Sequence, residues 1–315
     1  MEVSIVIVNY NGKELLKTSL DSIKKYTAEN HEIIVVDNNS KDGSVEFLRK
    51  NHKNVKIIRN KKNLGYSGIN SALHHCSGKY IFFLNNDITM DKNCIGNMLK
   101  AIKKDDKIGM VAPKLVNFYD KRRESAGTWV SRAFYNGHIG GKGKLMDVPY
   151  LGVGLLRKKT AEKFGYIFDP DYFIYAEDLD LGLRIRLIGQ KVVFVPSAIL
   201  NHMHAMTTKN FESSFTTFLL ERNLLTTFLK LLSFKNIVLF LPYVAAVRII
   251  AIAKDLASFR LSNAFARIKA IFWIILNFSR IMEKRKKLQK LRKADDNFIL
   301  KVFSEKYLLK KKSII

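Results

Sequence analysis

Residues 4–37 read SIVIVNYNGKELLKTSLDSIKKYTAENHEIIVVD. Ser4 to Tyr10 are β-branched or apolar at nearly every position, the pattern of a strand buried on both faces. From Lys13 to Tyr26 the period changes, and Leu15, Leu16, Leu20 and Ile23 recur on one face of a helix. Residues 32–37 return to the strand pattern. Strand, helix and strand in this order form the unit from which parallel sheets are built. The theme repeats in VKIIR (55–59), YIFFLN (80–85) and IGMVAP (108–113), with helical-period stretches GSVEFLRKN, SGINSALHH and NCIGNMLKAIKK between them. The expected fold is an α/β domain on a mostly parallel central sheet.

Such sheets bind ligands just beyond the carboxyl ends of their strands. Asn9, Tyr10 and Asn11 close the first strand, Asp37, Asn38 and Asn39 the second, and Asn85, Asn86 and Asp87 the fourth. Three strands therefore deliver polar groups to one edge. From Asn117 to Val148 the pattern loosens, with Gly127, Gly137, Gly140, Gly141 and Gly143, as in a mobile excursion over that edge. A last strand, KVVFVP, is expected to stop at Pro196, ahead of NHMHA.

Four groups of residues carry chemistry. Asp87 reads either as a turn or cap carboxylate or as a hard-cation ligand holding magnesium or manganese against a diphosphate. The better cap for the helix after it is Asp91. Glu177, Asp178 and Asp180 read as a charged helix start, with Asp180 pairing Arg184 at i,i+4, or as the site of a general base. The aromatic segment DYFIYA before them favours the second reading, because a carboxylate beside apolar rings has a raised proton affinity. His202 and His204 alternate on an extended segment, so at most one shares a metal with Asp87; a surface histidine pair is the other reading. NLGYSGIN (63–70) places two glycines ahead of a helix, a loop able to turn backbone N–H groups to a phosphate, although it lacks the G-x-G-x-x-G and Walker spacings.

Taken together, these stretches closely resemble the inverting glycosyltransferases of family 2, in their rhamnosyltransferase-like branch. The likeness spans about residues 3 to 230. SIVIVNYNG resembles the family's opening strand, VVDNNSKDGS its nucleotide-binding turn, NLGYSGINSAL the segment before its metal strand, and FLNNDI its D-x-D position. FDPDYFIYAEDLDLGLRIRLIGQKVVFVPSAILNHMHA is similar to the segment that holds the base. The resemblance implies a nucleotide-sugar-binding GT-A fold with Asp178 as catalytic base. It implies Asn9, Tyr10, Asn11, Asp37, Asn39, Asn63, Gly65, Asn70, Asn85, Asn86, Gly152 and Glu177 around the donor, Asp37 against the base or ribose and Gly152 beside the sugar. Asp87 and His202 are the implied ligands of a divalent metal, Mg²⁺ or Mn²⁺. Asn85 stands where the family carries the first acid of D-x-D. Its amide accepts a hydrogen bond but adds no charge, so metal affinity would rest on Asp87 and the diphosphate.

The 315 residues are 47% hydrophobic and 11% aromatic, which excludes a wholly disordered chain. Cys76 and Cys94 fit neither a disulfide framework nor a zinc site and read as reduced cytosolic thiols. Met1 leads directly into a strand pattern, so no export signal is expected. The net charge of +26 is concentrated: from Lys230 onward there are 20 Lys/Arg against 5 Asp/Glu. The stretches at 237–253 and 264–278 are apolar but short for a spanning helix and interrupted by Arg248, Arg267 and Lys269. A polybasic run, RIMEKRKKLQKLRK, follows. The expectation is a catalytic domain at 1–210 and, at 211–315, basic amphipathic helices lying on the cytoplasmic face of the cell membrane, peripheral or monotopic. The expected partners are a nucleotide-diphosphate sugar, a glycan or lipid-linked acceptor and a membrane surface, with no nucleic acid. A nucleic-acid-binding protein would explain the basic tail but not the strand-end acids. A sugar nucleotidyltransferase would open with a basic glycine-rich loop, which VNYNGKELL does not match.

Overall fold

The computed structural model describes residues 1–121, 123–125, 128–138, 146–203 and 212–304. The chain begins β1 (Val3–Asn9), α1 (Lys13–Tyr26), β2 (His31–Asp37), α2 (Ser44–Asn51) and β3 (Val55–Arg59). A tight helical segment, Gly65–His75, leads to β4 (Tyr80–Asn85), β5 (Ile88–Met90), α3 (Cys94–Ile102) and β6 (Ile108–Asn117). Four short strands follow: β7 (Arg123–Ser125), β8 (Thr128–Val130), β9 (Asn136–His138) and β10 (Met146–Val148). Then come β11 (Gly154–Arg157), α4 (Lys158–Phe164), α5 (Glu177–Leu187) and β12 (Lys191–His202). Five helices complete the described chain: α6 (Ser213–Leu231), α7 (Phe234–Ala257), α8 (Leu261–Leu276), α9 (Phe278–Gln289) and α10 (Asp296–Leu300).

The main sheet runs β10-β12-β6-β11-β4-β1-β2-β3, with β5 on β12 and β7 on β6. From β3 to β4 all neighbours are parallel, as the opening strand-helix-strand pattern predicts. The rest is mixed, which corrects the expectation of a mostly parallel sheet: β11 is antiparallel to both β4 and β6. The reason is where the chain waits. β6 ends at the ligand-binding edge, no helix among the described residues between β6 and β11 carries the chain back, and β11 starts from that edge and runs the other way. The loosened stretch is also more structured than its glycines suggest. β8 and β9 form a hairpin with Trp129 and Phe134 buried, bridged to Phe303. Gly127, Gly140, Gly141 and Gly143 lie outside the described residues. β12 does not stop at Pro196. It continues to His202 across an irregularity between Val195 and Ile199, which absorbs the proline's missing N–H.

Alternate strand residues feed two cores. Val6, Ile34 and Phe83 face one side, where Leu179 and Leu183 of α5 and Phe228 of α6 cover them. Ile5, Val35 and Phe82 face the other, under Leu16, Leu20 and Ile23 of α1 and Met98 of α3. That two-sided burial is why the strands read as continuous apolar runs. α6 joins the first core through Leu224, Phe228 and Leu231.

The C-terminal helices are arranged inside out. Arg248 of α7 and Arg267 of α8, which interrupt the apolar runs in sequence, turn inward. Arg248 lies 3.2 Å from the buried Glu221 of α6 and donates to the Ala133 carbonyl at 2.9 Å. Arg267 pairs with Glu221 and, at 2.8 Å, with Asp255. The apolar side chains take the outside: among the described residues, sixteen of the nineteen large exposed hydrophobics lie between Phe234 and Phe278. Among the described residues, α7 is the one helix long and apolar enough to cross a membrane, and α8 with α9 forms a pair bent by 68°.

Candidate active site

The strand ends form one hydrogen-bonded ladder. Asn86, after β4, donates to Asn9 Oδ1 at 2.8 Å, and Asn9 donates to Asp37 Oδ2 and Ser40 Oγ, both at 3.2 Å. Asp37 Oδ1 accepts from the Ser40 N–H at 3.0 Å. Asn9 and Asp37 are fully buried, so each amide and carboxylate is oriented before any ligand arrives. Asn11 and Asn39 adopt left-handed backbone (φ 49° and 67°), which asparagine tolerates best among residues with a β-carbon. Both turn toward Lys41: Asn11 Oδ1 accepts its N–H at 2.7 Å, and Asn39 Oδ1 lies 3.4 Å from its Nζ. Tyr10 and Asn85 sit partly exposed at the ends of β1 and β4.

The NLGYSGIN loop is placed by glycine geometry. Gly65 has φ +62°, and a β-carbon there would lie 2.0 Å from the Phe173 carbonyl. Asn63 Oδ1 accepts from Gly65 N–H at 2.9 Å. Asn70 is spent elsewhere: its oxygen accepts from the N–H groups of Ile167 and Phe168, and its nitrogen donates to the Phe168 carbonyl at 2.7 Å. It braces the segment leading to α5. Tyr66 follows Gly65, and its hydroxyl donates to the Gly152 carbonyl at 3.2 Å. Burial, and after it the negative charge of Glu177, Asp178 and Asp87, keeps this phenol protonated well above its ordinary range. Carboxylates from two distant segments thus converge on one ring.

Asp178 stands at the start of α5, with Oδ1 accepting the Leu179 N–H at 2.7 Å. A β-carbon on Gly152 would lie 3.4 Å from its Oδ2, so this carboxylate and the β10–β11 connection are close neighbours. Glu177 is 7% exposed, and Asp178 keeps part of its surface open. Desolvation raises both: Glu177 to about 8, helped by the charge of Asp178, and Asp178 to about 6, against the opposing Leu179 hydrogen bond. Neighbouring acids are treated differently. Asp180 meets Arg184 at 2.7 Å, as its i,i+4 spacing predicts, and Lys230 at 2.7 Å. Asp169 pairs with Lys230 and Lys284, and although burial opposes it, their charges hold its carboxyl well below the usual range.

Asp87 and His202 come together through β5. Antiparallel pairing sets His202 opposite Ile88, and the His202 Nε2 lies 3.2 Å from Asp87 Oδ2. No cluster of three or more His, Cys, Asp or Glu side chains forms a ligand set among the described residues. A carboxylate and an imidazole fit a divalent cation that takes its remaining ligands from a diphosphate and water. His204 lies outside the described residues. Asp91 does not cap α3. It accepts from Asn201 of β12 at 2.8 Å, because β12 runs on past Pro196, and α3 starts instead after Asn93 in left-handed backbone.

Some site groups escaped sequence reasoning. Asn60, ending β3, donates to Asn38 Oδ1 at 2.8 Å, and the strand-end rule that selected Asn9 would have found it. Tyr150 is buried, and desolvation, followed by the charge of Asp178, raises its phenol well above the ordinary range. Asn223 and Lys230 come from α6 and carry no local signal.

A mixed central sheet with a parallel half, as here, is the GT-A fold shared with the solved structures it matches. The sequence profile of Glycosyl transferase family 2 matches residues 4–163, about half of the chain, and the protein belongs to that family. An uncharacterized glycosyltransferase of Haemophilus influenzae is 26% identical over 66% of this chain and 67% of its own length. N-acetylglucosaminyl-diphospho-decaprenol L-rhamnosyltransferase of Mycobacterium tuberculosis is 24% identical over 65% of this chain and 76% of its own. The crystal structure of GalNAc-T7 with UDP, GalNAc and Mn²⁺ superposes with a TM-score of 0.62 at 19% identity, covering 72% of this chain and 47% of that one.

Proposed function

We propose that this chain transfers a sugar from a nucleotide-diphosphate sugar to a hydroxyl of a glycan or lipid-linked glycan, inverting the anomeric carbon. The observation that carries the reading is Asp178, a carboxylate that desolvation raises, partly exposed beside Gly152, while Asp169 and Asp180 close by are neutralised by lysine and arginine. Asp178 takes the acceptor hydroxyl's proton as that oxygen bonds to the anomeric carbon and the bond to the diphosphate breaks. The buried ladder of Asn86, Asn9 and Asp37 orders the nucleotide edge, with Asp37 beside the base or ribose. Asn11, Asn39, Asn63, Gly65, Asn85 and Glu177 line the donor's surroundings, and Asn70 supports them from behind. Asp87 and His202 would hold Mg²⁺ or Mn²⁺; when bound, the cation neutralises charge on the departing diphosphate. Binding of UDP and Mn²⁺ by the GalNAc-T7 structure and the polyprenyl-linked substrate in the mycobacterial relative's name support this assignment.

The same reading sets residues 1–210 as the catalytic part and 211–315 as a membrane-facing part on the cytoplasmic leaflet. Its support is the inside-out packing of α7 and α8: Arg248 and Arg267 face inward to Glu221 and Asp255, and large apolar side chains, with Lys254 and Lys269 among them, face out beside the polybasic α9. The internal pairing also weakens a nucleic-acid reading, since Arg248, Arg267, Arg280, Lys284 and Arg292 are engaged by carboxylates of this chain.

The deciding experiment screens nucleotide sugars for thermal stabilisation and hydrolysis with Mg²⁺ and with Mn²⁺, then measures product mass with a polyprenyl-diphosphate-linked acceptor. A mass gain of one sugar, abolished by EDTA, is expected; stabilisation by no nucleotide sugar would sink the reading. Sedimentation with phosphatidylglycerol vesicles should carry the protein down, and a chain indifferent to lipid would end the membrane assignment.

A further inference from the structure

The residues just before the Glu177–Asp178 pair are held in an unfavourable shape. Tyr175 (φ 70°) and Ala176 (φ 60°) are consecutive left-handed residues with β-carbons, a conformation such residues rarely adopt singly and still more rarely in sequence. Backbone of this kind persists only where the surroundings over-determine it. Here one side chain binds the strained turn directly, while Ala176 is buried in the core and its carbonyl accepts the Asp180 N–H at 3.0 Å. Asn223 of α6, fully buried, donates its Nδ2 to the carbonyls of Ile174 at 3.1 Å and Tyr175 at 2.7 Å. Its own orientation is locked, because Oδ1 accepts from Arg222 Nε at 2.9 Å and its backbone carbonyl accepts from the Tyr172 hydroxyl at 2.9 Å. Two turns further along the same helix, Lys230 joins Asp169, where the loop begins, to Asp180 in the first turn of α5.

We propose that Asn223 is a positioning residue for the catalytic base: its amide holds Tyr175 and Ala176 left-handed, and this turn aims Asp178 toward Gly152 and the donor side of the sheet edge, while Lys230 closes the loop at its foot. The inference rests on the reading of Asp178 as base. It makes α6, which begins beyond the region matched by the family profile, part of the catalytic apparatus. A role of this type acts on the geometry of the reacting carboxylate and not on donor affinity. Its loss should appear in kcat and leave KM for the donor in place.

The full chain is tested as Asn223→Ala, as Ala176→Gly, and as the two combined. Asn223→Ala is expected to lower kcat about 10²-fold, the scale of an ångström-sized misplacement, with donor KM changed less than about twofold. Peptides covering 169–180 should lose amide-exchange protection in the same variant. Glycine adopts the left-handed region without a β-carbon, so Ala176→Gly in the Asn223→Ala background should restore kcat about tenfold and recover protection. A merely structural asparagine would give no such rescue. Unchanged kcat in Asn223→Ala, or a double variant as impaired as the single, overturns the proposal. If the single variant does not fold, the double variant decides alone: folded and active supports the clamp, unfolded or inactive overturns it. A wild-type chain that turns over no nucleotide sugar would fail the functional reading, and the exchange measurement would still decide the clamp.

Discussion

Between Asp169 and Asp180 the chain carries five carboxylates in two conditions. Asp169, Asp171 and Asp180 are paired with Lys230, Lys284, Arg280 and Arg184. Glu177 and Asp178 pair with no cation among the described residues, and desolvation raises both. The chemistry of the residue types is the same, so the difference lies in what α6 and α9 bring to each. Paired acids anchor the loop; the other two keep a raised proton affinity, as the proposed base role requires.

The largest effect should come from breaking the paired set. Lys230→Met leaves Asp169 and Asp180 in the interior without their shared cation, a loss of about 3–5 kcal/mol. Denaturant unfolding should show it, and an unchanged midpoint would mean that Lys230 adds nothing to the anchor. Asp178→Asn acts on the other set. Transfer should fall about 10³-fold while nucleotide binding, followed by calorimetry, stays within twofold. In the wild type, kcat/KM should decline as pH falls through about 6, because Asp178 must be charged to accept a proton. A flat profile from pH 5 to 8 would remove it from the base role.

A smaller effect sharpens the comparison. Glu177 is raised in the fold, so its neutral form is favoured there. Its stabilising contribution is complete below the ordinary carboxylate range and is lost as pH rises through about 8. Glu177→Gln keeps the neutral shape at every pH. At pH 9 it should melt above the wild type by roughly 2–4 °C for each kcal/mol released, and at pH 4 the two should coincide. A variant less stable at pH 9 would show that the charged form is the one the fold prefers.

Local features were legible without coordinates. α1 was readable to its ends because a 3.6-residue period over four turns leaves little ambiguity. The Asp180–Arg184 pair followed from i,i+4 spacing, and the polar strand ends from apolar runs stopping at Asn9, Asp37 and Asn85. Features set by non-local pairing were not readable. Pro196 looked like a stop, but β12 had β6 and β5 to pair with on its far side. Asn70 looked like a donor contact, yet the backbone of Ile167 and Phe168 lay within its reach. Arg248 and Arg267 looked like interfacial cations, and buried acids on neighbouring helices drew them inward.

By itself, then, the order of apolar periods and polar strand ends determined an α/β architecture, its ligand edge and the acid pair that heads α5, because each is written in residues a few positions apart. Tertiary structure alone decided which acids are neutralised, how Tyr175 and Ala176 are held, and which face of the C-terminal helices is apolar. Those depend on partners such as Asn223, Lys230 and Glu221, brought close only by folding, where removal from water turns a carboxylate's neighbour into the main determinant of its charge.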